Sequence, residues 1–331
     1  MLRQHFVLFG AVSLFFTSAR PGVCAEQGAA SGGKGVQITK LDDRLRVEIN
    51  GQLFTEYFFK DVPRPYCYPL IGPGGAHMTR NWPMKNVPDL EPDKPEHKHH
   101  RSLWFAHGEI SGQDFWSEDK KFGKTVHEFF DEVRSGSDVG VIKAHNNWVT
   151  ADGQRVCTDD RTIRIYNAGP ADERVMDWEV TLHATDGAVT FGDTKEGTMA
   201  VRVAATMRLK GEVGKGHIIT STGVRDDETW GKRADWCDYY GPVEGKTVGI
   251  AIFDHPENPR HATWWHVRDY GLFAANPFGK HDFEKIKDKT AGDLTLEDGK
   301  SITFKYRIYI HSGDEKKANV AEKYQEYVKG K

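Results

Sequence analysis

Residues 44–59, RLRVEINGQLFTEYFF, alternate apolar and polar side chains on both sides of Asn50-Gly51. Period-two alternation is the pattern of a half-buried strand, and Asn-Gly is the preferred centre of a two-residue hairpin turn. The pattern recurs in KTVHEFF, VGVIKAHNNWVT, RTIRIYN, RVMDWEVTLHA, MAVRVAATMRL, TVGIAIFD and SITFKYRIYIH. Asp152-Gly153, Asp186-Gly187 and Asp298-Gly299 supply turns between the runs. Only EKKANVAEKYQEYVKG spaces apolar residues for a helix, with Val320, Tyr324, Tyr327 and Val328 on one face. The expected fold is therefore all-β: an antiparallel β-sandwich over residues 36–312 with one C-terminal helix over 314–329. No glycine-rich phosphate loop and no strand–helix alternation point to a nucleotide-binding α/β fold. No composition break divides residues 36–331, which are expected to form one domain. Two long stretches, 61–98 with its prolines and 220–242, read as loops, and long loops on a β scaffold commonly carry binding sites.

The first 25 residues read as a secretory signal. Arg3 is followed by the apolar run FVLFGAVSLFF and then by Val23-Cys24-Ala25 before Glu26. Eleven apolar residues are too few to span a bilayer, so a secreted or periplasmic chain with no membrane insertion is expected, led by a flexible segment at 26–35. Cleavage would leave Cys67, Cys157 and Cys237, enough for at most one internal disulfide, and no Cys-x-x-Cys pair for zinc. The net charge of −3 gives no electrostatic case for nucleic acid. Nine tryptophans and eleven tyrosines suit a carbohydrate partner, since each offers a flat apolar face with a polar handle.

The stretch EHKHHRSLWFAHGEISGQDFW, residues 96–116, concentrates four histidines beside two tryptophans. Read as a strand from His99 to Glu109, it places His99, Arg101, Leu103, Phe105, His107 and Glu109 on one face and His100, Ser102, Trp104 and Ala106 on the other. His107 then acts as general acid or base, oriented by Glu109. A second stretch, 261–279, places His266, Arg268 and Tyr270 on one face, and Glu196 before Gly197 is a weaker third candidate. His99, His100 and His266 are secondary acid/base candidates. Arg101, Trp116, Arg225, Trp230, Arg268 and Tyr270 are the expected substrate-binding residues. His107 and His266 are expected to face one shared cavity. No metal or other cofactor is expected: His97-x-His99 opens like a cupin metal motif, but Leu103 and Trp104 stand where its acid belongs. A transition metal is the alternative, with His127, His145 or His266 converging from other segments.

Four segments, HKHHRSLWFAHGEISGQDFW, TSTGVRDDETWGKRADWCDYYG, WWHVRDYGLFAANPFG and YRIYIHSGD, resemble a secreted bacterial family labelled methane oxygenase PmoA-like, a domain of unknown function. The label implies a copper or iron oxygenase, and the family's occurrence in polysaccharide-degrading bacteria implies a glycan. LTLEDGKSITFKYRIYIHSG is similar to the closing hairpin of galactose-mutarotase-like supersandwiches, which implies activity on sugars. The expected function is a carbohydrate-active enzyme using histidine acid/base chemistry for cleavage, elimination or epimerisation. A non-catalytic carbohydrate-binding module and a metal-dependent oxygenase are the alternatives.

Overall fold

The computed structural model describes Met1 and residues 33–87, 96–167 and 172–330. The expected signal segment, apart from Met1, and the leader up to residue 32 lie outside the described residues. Residues 32–331 form one compact unit.

Among the described residues, eighteen strands and two short helices follow one another along the chain. They are β1 (Val36–Lys40), β2 (Arg44–Ile49), β3 (Gln52–Phe58), β4 (Tyr66–Leu70), β5 (Leu103–His107), β6 (Lys124–Arg134), β7 (Val139–Val149), β8 (Arg155–Tyr166) and β9 (Glu173–His183). Then come β10 (Val189–Phe191), β11 (Gly197–Arg202), β12 (His217–Thr220), β13 (Trp236–Val243), β14 (Lys246–Asp254), β15 (Trp264–Val267), β16 (Leu272–Asn276), helix α1 (Lys280–Glu284), β17 (Leu294–Leu296), β18 (Ser301–Ser312) and helix α2 (Val320–Val328). One eight-stranded sheet has the order β1-β2-β3-β4-β5-β11-β16-β15, the second β12-β13-β14-β18-β9-β8-β7-β6, and β10 pairs with β17. Every pairing is antiparallel.

The hairpin at Asn50-Gly51 shows how sequence fixes register. Both residues take positive φ, 53° and 76°, as a type I′ turn requires. Leu45, Val47 and Ile49 then point into the core, while Arg44 and Arg46 pair with Glu56 of β3 across the outer face. The two sheets press their inner faces together. Phe105 of the first sheet meets Trp148 and Phe304 of the second at 6.4 Å, and Tyr57 meets Trp178 at 6.3 Å. This all-β antiparallel sandwich is the fold the alternation requires. Helix α2 lays Val320, Tyr324 and Tyr327 over Phe253 and Tyr309 on the outer face of the second sheet.

Two expectations need correction. The stretches 61–98 and 220–242 are not loops throughout: β4 lies inside the first and β13 begins inside the second. Pro69 and Pro242 hid them, because a residue without an N–H reads as a strand breaker; Pro242 sits near the strand end, opposite Thr247. The C-terminal helix starts six residues later than expected, after Asn319 at φ 51°, and α1 is additional. Cys67, Cys157 and Cys237 are all buried and free.

Candidate functional site

Strand β5 carries two unlike faces. Leu103, Phe105 and His107 point into the main core, whereas Trp104 and Ala106 point outward. Register extends the outward face sideways: Trp104 stands opposite Ala200, Ala200 opposite Ala274, and Ala274 opposite His266. Directly opposed residues of antiparallel strands share a face. A small apolar cluster forms there from Tyr66, Trp104, Ala106, Trp116, Ala200, Leu272 and Ala274. Three of its members are alanines, so loops can settle close to the sheet.

The segment 97–102 is one of those loops. It is a turn rather than a strand, with His97 at φ 48° and Ser102 at φ 58°. Two guanidinium groups fix it through its own carbonyls. Arg80 donates to the carbonyls of Trp82, Glu96 and His97 at 2.8–3.0 Å, and Arg64 donates to the carbonyls of His99 at 3.0 Å and Trp116 at 2.6 Å. The turn stacks rings into a column. His100 lies between Trp104 at 5.5 Å and His97 at 4.8 Å, and His97 lies on Tyr270 at 5.2 Å with an interplanar angle of 10°. His99 meets His100 edge-on at 4.4 Å.

Arginine sets the protonation of this column. Arg202, at the outward end of β11, donates to Nδ1 of His100 at 3.0 Å. Guanidinium has only donors, so Nδ1 must accept, and the ring is neutral with its proton on Nε2. Burial, then the Arg202 charge, holds His100 well below the usual imidazole range. Burial, then Arg64, pushes His99 down to about 3, and burial, then Arg268, pushes His266 down to about 3. The acids behave in the opposite sense. Burial raises the Glu196 carboxyl above its ordinary value, against the pull of Lys195. Burial likewise raises the Tyr270 phenol, against the charges of Arg268 and Arg202. The guanidinium carbons of Arg202 and Arg268 lie 4.8 Å and 5.5 Å from the Tyr270 ring.

His97, His99 and His100 each offer a ring nitrogen, all within 4.8 Å of one another. The surroundings do not fit a cation. One nitrogen of His100 is taken by Arg202 and the other must then carry hydrogen, and the charges of Arg64, Arg80 and Arg202 bear on the same rings. The constellation is built for neutral imidazoles beside fixed positive charge.

The structure brings together His99, His100, His266, Trp230, Arg268 and Tyr270 from the sequence-based set. It does not bring His107 to them. Being an odd number of residues from Trp104 along β5, His107 points inward, 4.5 Å from the Phe278 ring and with Nε2 2.9 Å from the Gly192 carbonyl. Burial pushes it down to about 4. Glu109 makes no hydrogen bond to it, and the expected cavity shared by His107 and His266 does not form, because the two lie on opposite faces of one sheet. Trp116 is 1% exposed and packed on Trp104 at 5.2 Å, so its face is closed to a ligand. Arg101 is committed to Glu118 through two bonds of 2.8 Å, and Arg225 to Glu315 at 2.6 Å, next to helix α2. His127 and His145 belong to β6 and β7 of the second sheet and do not join the His97 group. The sequence reading missed Arg202. Its only trace was the alternation of MAVR, which puts Ala200 and Arg202 on one face.

A family profile matches residues 44–325, and the family is described as one of unknown function (DUF6807). No curated protein matches the sequence. Solved structures with some likeness include a polysaccharide lyase (TM-score 0.31, 11% identity, covering 86% of this chain and 33% of that one). They also include a heparan sulfate lyase HepC mutant from Pedobacter heparinus (TM-score 0.30, 9% identity, covering 82% and 30%). A third is a galactose mutarotase-like protein from Lactobacillus casei (TM-score 0.31, 9% identity, covering 84% and 100%). The chain spans about a third of the length of the two lyases it matches.

Proposed function

This chain belongs to that family of unknown function, DUF6807, and we propose that it is a secreted enzyme acting on a carbohydrate by proton transfer at the Tyr270 column. The observation that carries the reading is the setting of Tyr270, a phenol between two guanidiniums, within reach of the Glu196 charge and stacked on His97. Such a site gives and takes protons without placing charge on its histidines. The neutral His100 offers an N–H donor, as a neutral imidazole does when it polarises a carbonyl. Arg202 and Arg268 stabilise negative charge as it develops. Glu196 and Tyr270 are the groups that exchange the proton.

Among cleavage, elimination and epimerisation, the arrangement favours the last two. Hydrolysis of a glycoside ordinarily needs two free carboxyl groups flanking the bond. Here Glu118 is held by Arg64 and Arg101, and Asp114 accepts from the backbone N–H groups of Trp116 and Ser117. Abstraction of a carbon-bound proton needs one base, an acid and a positive field, all of which are on hand. In elimination that proton passes to the base, the bond to the departing oxygen breaks, a carbon–carbon double bond forms, and a second proton goes to the leaving oxygen.

The metal-dependent oxygenase implied by a methane-oxygenase label is disfavoured by the Arg202–His100 bond. Incubating the purified chain with a panel of polysaccharides tests the reading: an unsaturated or epimerised product is expected, and its formation should depend on Tyr270 and Glu196. Binding of glycans with no product, unchanged in Tyr270→Phe, would instead identify a carbohydrate-binding module.

A further inference from the structure

We infer that the sugar recognised at this site carries a carboxylate, and that Arg268 receives it; the inference rests on the functional reading above for the sugar and adds its chemical class. The observation is a contrast among arginines. Arg64 and Arg101 pair with Glu118 at 3.1 Å and 2.8 Å. Arg80 is spent on the backbone carbonyls of Trp82, Glu96, His97 and His100. Arg202 is spent on His100 at 3.0 Å and Glu96 at 3.6 Å. Among the described residues, Arg268 has no hydrogen bond from its guanidinium and no ion pair; it lies half-buried between Trp230, at 5.9 Å, and Tyr270, at 5.5 Å.

A guanidinium withdrawn from water without an anion is costly, and one left so at the rim of a polar site is a group awaiting a partner. Its planar fork of donors matches a carboxylate through two parallel bonds. The flanking rings say what the carboxylate is attached to. Trp230 is half-buried and its indole N–H is buried without a partner. A ligand that presents a carboxylate to Arg268 while its apolar face rests against the half-buried Trp230 ring has the shape of a uronic acid residue. The same placement serves the chemistry. A carboxylate neutralised by Arg268 acidifies the adjacent carbon–hydrogen bond, close to Tyr270 and Glu196, both of which feel the Arg268 charge.

The test uses the full chain and immobilised polymers at low ionic strength: polygalacturonate, alginate, hyaluronan and glucuronoxylan, each beside its carboxyl-reduced counterpart, with carrageenan as a sulfated polymer lacking carboxylates. At least one carboxylated polymer should be retained and its reduced counterpart released. Arg268→Gln should weaken that retention by about 10- to 100-fold, the value of one charged hydrogen-bonded contact, whereas Arg268→Lys should keep part of it. Both variants should melt close to the parent, since the Arg268 guanidinium holds no hydrogen bond or ion pair among the described residues and its ring contacts to Trp230 and Tyr270 are each weak at such a site. Equal retention of a reduced polymer, retention of carrageenan alone, retention of none, or an acid preference unchanged in Arg268→Gln would each overturn the inference. Acid preference lost in Arg268→Gln but without turnover of any polymer would defeat the enzymatic reading and leave this one standing. Turnover of neutral polymers only would do the reverse.

Discussion

His107 and His100 are seven positions apart, and each is 1% exposed. Each is also neutral, because burial opposes the charged ring. They nevertheless do different work. His107 lies on the inner side of the first sheet among phenyl rings, one nitrogen on a backbone carbonyl and the other without a partner. His100 lies on the outer side, in a ring stack open to solvent at His97 and tied to a guanidinium. A depressed imidazole pKa therefore does not mark a site by itself. The surrounding charges do, and only the outer histidine has them.

The sharpest way to break this contrast is to remove proton transfer from the outer layer. Tyr270→Phe and Glu196→Gln should each lower turnover by about 10²–10⁴-fold with little change in melting temperature. If neither substitution alters product formation on a polymer the parent converts, the outer face is not the catalytic one. The inner histidine should give the opposite result. His107→Ala should cost about 2–4 kcal/mol in urea unfolding, since it empties a packed position and leaves the Gly192 carbonyl unmet, while turnover per folded molecule stays at the parental level. His107→Gln, which can keep a bond to that carbonyl, should recover part of the stability. A His107→Gln protein that is stable yet inactive would return His107 to the mechanism.

Acid pH should affect both faces together. His100, His107 and His266 have folded-state pKa values below the unfolded value of about 6.5. Between those values the unfolded chain holds the proton and the folded chain does not. Stability is therefore full above about pH 6.5 and falls with decreasing pH, by up to about 1.4 kcal/mol per pH unit for each such histidine. His311, raised through its partner Asp238, works in the opposite sense and offsets part of the loss. Urea midpoints measured from pH 7 to 5 should fall, and less steeply in His107→Gln; a flat profile would mean that these rings are not neutral in the folded chain. The smallest effect is expected from chelation. Dialysis against EDTA should change turnover less than about twofold, because a guanidinium already occupies His100. Stoichiometric copper or zinc in the purified protein, with activity lost on its removal, would contradict that.

Much of the sandwich was legible because one signal controls it. Alternation at 44–59, 139–150 and 301–311 gave strands with the right faces inward. The site was legible in composition but not in geometry. His99, His100, His266, Arg268, Tyr270 and Trp230 could be picked out as chemically dense, yet which of them meet depended on where β5 begins. Reading a strand back to His99 put His107 with the wrong neighbours. The strand starts at Leu103, after Ser102 adopts a left-handed backbone that nothing in its residue type announces. Arg202 was invisible for a related reason: a lone arginine at a strand end gains its meaning only from a partner 102 positions away.

The row Trp104–Ala200–Ala274–His266 joins three distant parts of the chain, β5, β11 and the β15–β16 hairpin. No stretch of continuous sequence contains the site: His97, His100 and Trp104 can stack locally, but the contacts to Tyr270 and between Trp230 and His266 wait until those segments have emerged. The β5–β11 and β11–β16 pairings each close a long stretch of chain, the kind that contributes late to a folding reaction. A refolding chain should regain its strand signal before it regains a ligand-competent Arg268. A fragment ending before β15 would keep the 97–102 turn sequence without the partners that give it chemical purpose.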